Sequence, residues 1–134
     1  MNYRIILSKP FLQEAKRLAK KYSSFKKDLE VLQQELKLNP YSRIDLGSGL
    51  RKVRMVIKSK CRGKSHGARV ITYILLISED EGEINLLTIY DKAERESISR
   101  EEIEEIFLSH QVTKSPSHRD TELLSFLVSE ILSF

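Results

Sequence analysis

Lys52, Arg54 and Lys58 lie in the stretch Leu50-Arg51-Lys52-Val53-Arg54-Met55-Val56-Ile57-Lys58. In an extended chain successive side chains point to opposite faces. A strand over 50–58 therefore puts Val53, Met55 and Ile57 on one face. Lys52, Arg54 and Lys58 share the other, with Val56 between them. Like charges two residues apart repel, and an anion lying across them relieves the repulsion. The setting is strongly basic: Leu46 to Ser78 holds eight Lys or Arg and no Asp or Glu in a chain of net charge +4, so the remainder is net negative. A cationic block in an acidic remainder points to one polyanion-binding place on the surface, and RNA phosphate suits it.

The same stretch carries parts for phosphodiester chemistry. Cleaving RNA through its own 2′-OH needs a base, cations that stabilise the phosphorane, and an acid for the leaving 5′-oxygen. Arg54 and Arg69 suit bidentate phosphate clamping, because the guanidinium fork matches two phosphate oxygens. Lys52 or Lys58 can serve as base if neighbouring cations lower its pKa. Tyr90, which shares a face with Lys92, can donate a proton or stack on a base. Arg51, Lys58, Lys60, Arg62, Lys64 and His66 complete the candidate RNA- and phosphate-binding set, with His66 able to titrate near neutral pH. His110 and His118 pair with carboxylates at no ligand spacing, and Cys61 is the single cysteine. No metal site, cofactor or intrachain disulfide is expected.

These residues need elements to position them. Asn2 to Leu7 reads as a strand. Ser8 and Pro10 open a helix whose apolar face is Phe11, Ala15, Leu18, Ala19 and Tyr22. After Ser23-Ser24, the residues Phe25, Leu29, Leu32 and Leu36 make a second helical stripe, stopped at Asn39-Pro40. The two form a helical hairpin. Tyr41 to Gly49 reads as a loop ending in a Gly47-Ser48-Gly49 turn. Ala68 to Ile77 is a central strand buried on both faces. Glu79 to Glu83 is an acidic hairpin turn, and Ile84 to Tyr90 the next strand. Ser99 with Glu102 makes a capping box, and Ile98 with Ile103 a hydrophobic staple, at the start of a helix. The order β-α-α-β-β-β-α implies an α+β fold: a twisted antiparallel sheet with the helical hairpin on one face.

A chain of 134 residues, 40 % hydrophobic and 31 % charged, fits one soluble domain. The expected domain spans 1–109. Residues 110–134 are read as a polar linker, Val112 to Pro116, and an apolar helix, Arg119 to Leu132, that packs on the domain or builds a homodimer. No apolar run is long enough for a membrane span and no leader is apparent. A cytoplasmic location is expected.

Lys20-Lys21-Tyr22, Asn39-Pro40, Gly49-Leu50-Arg51-Lys52-Val53-Arg54, Gly63-Lys64-Ser65-His66-Gly67-Ala68-Arg69-Val70-Ile71 and Leu86-Leu87-Thr88-Ile89-Tyr90-Asp91-Lys92 together resemble the RelE/HigB-type toxins of bacterial type II toxin–antitoxin modules, in the RelE/ParE superfamily. The resemblance covers roughly Tyr3 to Phe107. It implies a metal-independent mRNA endonuclease, usually ribosome-dependent, held by a cognate antitoxin, here expected to be a small helix-turn-helix protein. By this resemblance the catalytic residues are Lys52, Arg54, Arg69, Tyr90 and Lys92. The family pattern usually has Gly where this chain has His66, and the tail beyond about Ser109 exceeds the usual length. Relatives with this fold that poison DNA gyrase lack the catalytic cations; a gyrase poison, or a module binding RNA or antitoxin without turnover, are the alternatives.

Overall fold

The computed structural model describes residues 2–41, 44–60 and 66–113. Strand β1 (Asn2–Leu7) leads into helices α1 (Lys9–Lys21) and α2 (Phe25–Leu38). Strands β2 (Ile44–Gly47), β3 (Leu50–Met55), β4 (Ala68–Leu76) and β5 (Glu81–Asp91) follow, and then helix α3 (Arg100–Thr113). The five strands form one sheet in the order β1-β5-β4-β3-β2. Mixed α and β content around a single sheet agrees with the α+β expectation.

Local chemistry sets the helix starts. Ser8 is extended, and its hydroxyl accepts from the Phe11 N–H at 3.2 Å, with Pro10 in the first turn of α1. That hydroxyl also donates to the Leu87 carbonyl at 2.5 Å, which ties the helix start to β5. At α3 the Ser99 hydroxyl accepts from the Glu102 N–H at 3.1 Å, and Ile98 packs with Ile103 as the staple requires.

The sheet has two apolar faces. On one, Phe11, Leu18, Phe25, Leu32 and Leu36 of α1 and α2 pack against β1, Val53, Met55 and Ile57, and the inward residues of β4 and β5. On the other, Ile103 of α3 packs with Leu50, Ile71 and Leu87, joined by Tyr73 and Phe107 with ring centroids 4.6 Å apart. α3 is anchored at both ends. Arg100 donates to the Leu46 carbonyl, and buried His110 meets Asn85 Oδ1 at 2.8 Å.

Several expectations need correcting. The sheet is mixed, because β1 pairs with β5 in parallel while the other three pairings are antiparallel. The segment expected to be a loop contains β2, an exposed edge strand irregularly paired with β3. Its four residues are too few to show an alternation, so no period marks it. The turn after it is where expected: Gly47, Ser48 and Gly49 all have positive φ. The basic strand ends at Met55 rather than Lys58. The buried Asp28 carboxylate accepts from the Lys58 N–H at 3.0 Å, and Ser24 Oγ accepts from the Ser59 N–H at 2.8 Å. These bonds pull Lys58–Lys60 into a 3-10 turn against α2. α3 runs to Thr113, so a domain boundary after 109 cuts a helix, and the linker cannot begin at Val112. The expected helix Arg119 to Leu132 lies outside the described residues.

Candidate functional site

Strand register assembles the site. Arg54 of β3 stands directly opposite Arg69 of β4, and Arg69 directly opposite Tyr90 of β5. One rung along, Lys52 stands opposite Ile71, and Ile71 opposite Thr88. Leu50, Lys52 and Arg54 alternate with the helix-facing Val53 and Met55, so this row lies on the face that carries α3. α3 covers Leu50, Ile71 and Leu87 but leaves Arg54 exposed at the row's outer end. Neither Lys52 nor Arg54 forms an ion pair among the described residues.

The row is electrostatically unusual. Arg69 is only 6 % exposed and Tyr90 only 5 %. Burial pulls the Arg69 guanidinium down from its ordinary pKa, and Arg54 across the strand pushes the same way, against a smaller opposite pull from Tyr90. A guanidinium nevertheless stays charged at any working pH. Like charges directly opposite one another across a strand pair destabilise it. Burial pushes the Tyr90 phenol up, and Arg69 and Arg95 only partly offset it. Tyr90 is thus a proton donor over the physiological range. Its hydroxyl is buried with no hydrogen-bond partner among the described residues. With the ring buried Tyr90 offers no stacking face, and its hydroxyl is closed to solvent as well.

Asp91, the next residue, points to the other side of β5 and is fully partnered. Its carboxylate accepts from Lys60 Nζ at 2.5 Å, the Tyr22 hydroxyl at 2.5 Å and the Ala93 N–H at 2.9 Å, with Lys21 Nζ at 3.5 Å. Burial raises its pKa, but the bonds from Lys60, Tyr22 and Ala93 outweigh burial and hold it at about 2. Beyond it, Glu94 is held at about 2 by hydrogen bonds from Arg17 and Lys21. This cluster fastens the end of α1, the 3-10 turn and the end of β5 together.

The structure thus brings together Arg54, Arg69 and Tyr90, with Lys52 on the adjoining rung. Lys92 is placed otherwise. Its N–H extends the ladder to the Gly67 carbonyl at 3.1 Å, and its ammonium closes the following turn on the Glu96 carbonyl at 2.6 Å. Lys60 is committed to Asp91 and to the His66 carbonyl at 2.9 Å, so it is a structural cation. Arg51 faces away from the row. It donates to the Tyr41 carbonyl at 3.0 Å and sits 5.1 Å from the Tyr41 ring centroid. Lys58 is exposed on the 3-10 turn, off the strand face it was expected to share. His66 is exposed, and at the next residue, Gly67, a Cβ would collide with the Met55 carbonyl oxygen. Arg62 and Lys64 lie outside the described residues.

Two residues that shape the site were missed in the sequence. Asp91 is one, and its role is structural, as the anchor of the Lys60, Tyr22 and Ala93 bonds. The other is Arg95, whose guanidinium lies 6.0 Å from the Tyr90 ring centroid and pairs with Glu102 at 2.7 Å. Its position in a polar turn gives no periodic signal. Among the described residues no three His, Cys, Asp or Glu side chains gather as metal ligands, and no helix is long and apolar enough to cross a membrane.

The arrangement is that of a mixed-sheet α+β protein with two arginines and a tyrosine in register across three adjacent strands. No family model matches the chain, and no curated protein matches it in sequence.

Proposed function

We propose that this chain is a metal-independent endoribonuclease of the RelE/HigB kind, the toxin of a type II toxin–antitoxin pair. The observation that carries the reading is the row Arg54–Arg69–Tyr90, two arginines in register on neighbouring strands beside a buried phenol with no hydrogen-bond partner among the described residues. A scissile phosphate lying across the two arginines offsets their repulsion and gains charge-assisted bonds. Those bonds strengthen as the phosphorane gathers charge, which is what speeds the reaction. Once RNA binding uncovers it, the buried Tyr90 hydroxyl donates to the phosphate or protonates the leaving 5′-oxygen. Lys52, one rung away, takes the 2′-OH proton if it enters the reaction as the neutral amine. Lys92 joins only if its ammonium leaves the Glu96 carbonyl.

α1 and α2, acting as a helical hairpin on the face opposite this row, support the same reading, because they leave the cationic end of the sheet open. The partners are mRNA, in the ribosomal A site, and a small antitoxin protein, in the cytoplasm. The test is tightly controlled expression in a bacterial host with transcript ends mapped by primer extension. Growth arrest with codon-linked cleavage, abolished in Arg69→Ala, is the expected result. Arrest with DNA damage and intact transcripts would identify a gyrase poison instead, and no arrest would leave a binding module.

A further inference from the structure

We infer that Arg95 is a second phosphate-binding cation, kept in store by Glu102 until RNA displaces that carboxylate. The inference rests on the RNA reading above and extends it to the neighbouring phosphate of the same strand. A groove of about 310 Å³ runs beside the open end of β5, between the start of α1 and α3. Its walls carry Tyr90, Arg95 and four carboxylates: Glu102, which pairs with Arg95, and Glu14, Glu94 and Asp91, which pair with Arg17, Lys21 and Lys60. Tyr90 therefore belongs both to the row with Arg54 and Arg69 and to this groove, and its buried hydroxyl has no partner among the described residues. A strand of RNA whose phosphate sits on Arg54 and Arg69 reaches the groove past Tyr90.

Arg95 is the groove's cation. It spans three groups: its Nε donates to the Ser97 carbonyl at 2.8 Å, its Nη2 pairs with Glu102 at 2.7 Å, and its plane lies over the Tyr90 ring. The Ser97 bond fixes the guanidinium in place without using its charge. The Glu102 pair uses the charge but is half open to water, with the two side chains 42 % and 40 % exposed. An exposed ion pair is worth little. A phosphate, which binds a guanidinium bidentately, can replace the carboxylate at small cost. Glu102 and an RNA phosphate thus compete for one cation. Together with Glu14, Glu94 and Asp91, the Glu102 carboxylate makes the groove repel RNA unless the strand is already held at the Arg54–Arg69 row.

The experiment uses the full chain and a fluorescent single-stranded RNA carrying 2′-O-methyl groups throughout, which cannot be cleaved by 2′-OH attack. Anisotropy gives affinity at several salt concentrations for wild type, Arg95→Gln, Arg95→Lys, Glu102→Gln and the Arg95→Gln/Glu102→Gln pair. Removing one neutralised phosphate on a single strand lowers the slope of log affinity against log salt by about 0.7. Arg95→Gln should show that drop and bind several-fold more weakly, and Arg95→Lys should restore the slope. Glu102→Gln should bind several-fold more tightly, and that increase should vanish in the double variant. Salt-dependent wild-type binding that neither Arg95→Gln nor Glu102→Gln changes overturns the inference and leaves the RNA reading standing. Absence of wild-type binding overturns both.

Discussion

Tyr90 and Asp91 are adjacent on one strand, both buried, and opposite in electrostatic state. Asp91 sits among Lys60, Tyr22, Lys21 and the Ala93 N–H, so its charge is matched. Tyr90 sits beside Arg69 and Arg95 with its hydroxyl unpartnered among the described residues, and Arg69 stands opposite a second arginine. A buried network with every group satisfied makes a structure rigid, whereas on the other side of the strand a buried hydroxyl is left without a partner among the described residues. The helix-facing side of β5 therefore holds the fold together, and the other side holds the proposed chemistry.

That contrast breaks most sharply at Arg69. Arg69→Ala should lower RNA cleavage by about 100- to 1000-fold, as removal of a transition-state-stabilising donor does. Its urea midpoint should change far less than its activity, because the substitution also relieves the repulsion with Arg54. Equal loss of fold and function would show that Arg69 is merely structural.

Asp91→Asn should do the reverse. Leaving Lys60 buried without its counter-charge should cost about 3–5 kcal/mol of unfolding free energy, read by urea denaturation. The pH dependence has a definite sign. Asp91 is held at about 2 in the folded chain, below the roughly 3.9 of an unfolded aspartate. Its contribution is fully present above about pH 4 and disappears as pH falls towards 2. Wild type should show this acid destabilisation, and Asp91→Asn should lack that share of it.

Smaller effects sharpen the comparison. Tyr22→Phe removes a hydrogen bond to a buried carboxylate and should cost about 1.5–3 kcal/mol. Tyr90→Phe removes a hydroxyl that bonds nothing among the described residues, so its stability should stay within about 0.5 kcal/mol of wild type. Its cleavage rate should nevertheless fall by about 100-fold, the low end of a general acid's contribution. A stability loss in Tyr90→Phe matching that of Tyr22→Phe would erase the distinction between the two sides of the strand.

Much of this was legible in the sequence because period and caps are local. Alternation placed Val53 and Met55 opposite Lys52 and Arg54, and Ser8, Pro10 and Ser99 marked helix starts. Arg54 and Arg69 were visible as candidate phosphate clamps from their residue type, and their register across β3 and β4 was not. What was not legible depends on partners distant in sequence. Lys58 and Lys60 looked like more surface cations, but Asp28 bends the chain there and Asp91 captures Lys60, from 30 and 31 residues away. The parallel pairing of β1 with β5 joins the first strand of the chain to the last, which no local pattern encodes. Arg95 is assigned by its place over Tyr90, and that place exists only once β5 and α3 have come together.

The most direct test of the central claim is the salt dependence of binding between this protein and an uncleavable single-stranded RNA, compared with its Arg54→Gln/Arg69→Gln variant. The expected result is a wild-type affinity that falls linearly on a log–log plot and a variant whose slope is shallower by about 0.7 for each phosphate no longer neutralised, in a protein that unfolds at no lower urea concentration. A variant that binds with the same affinity and the same slope as wild type would contradict the account.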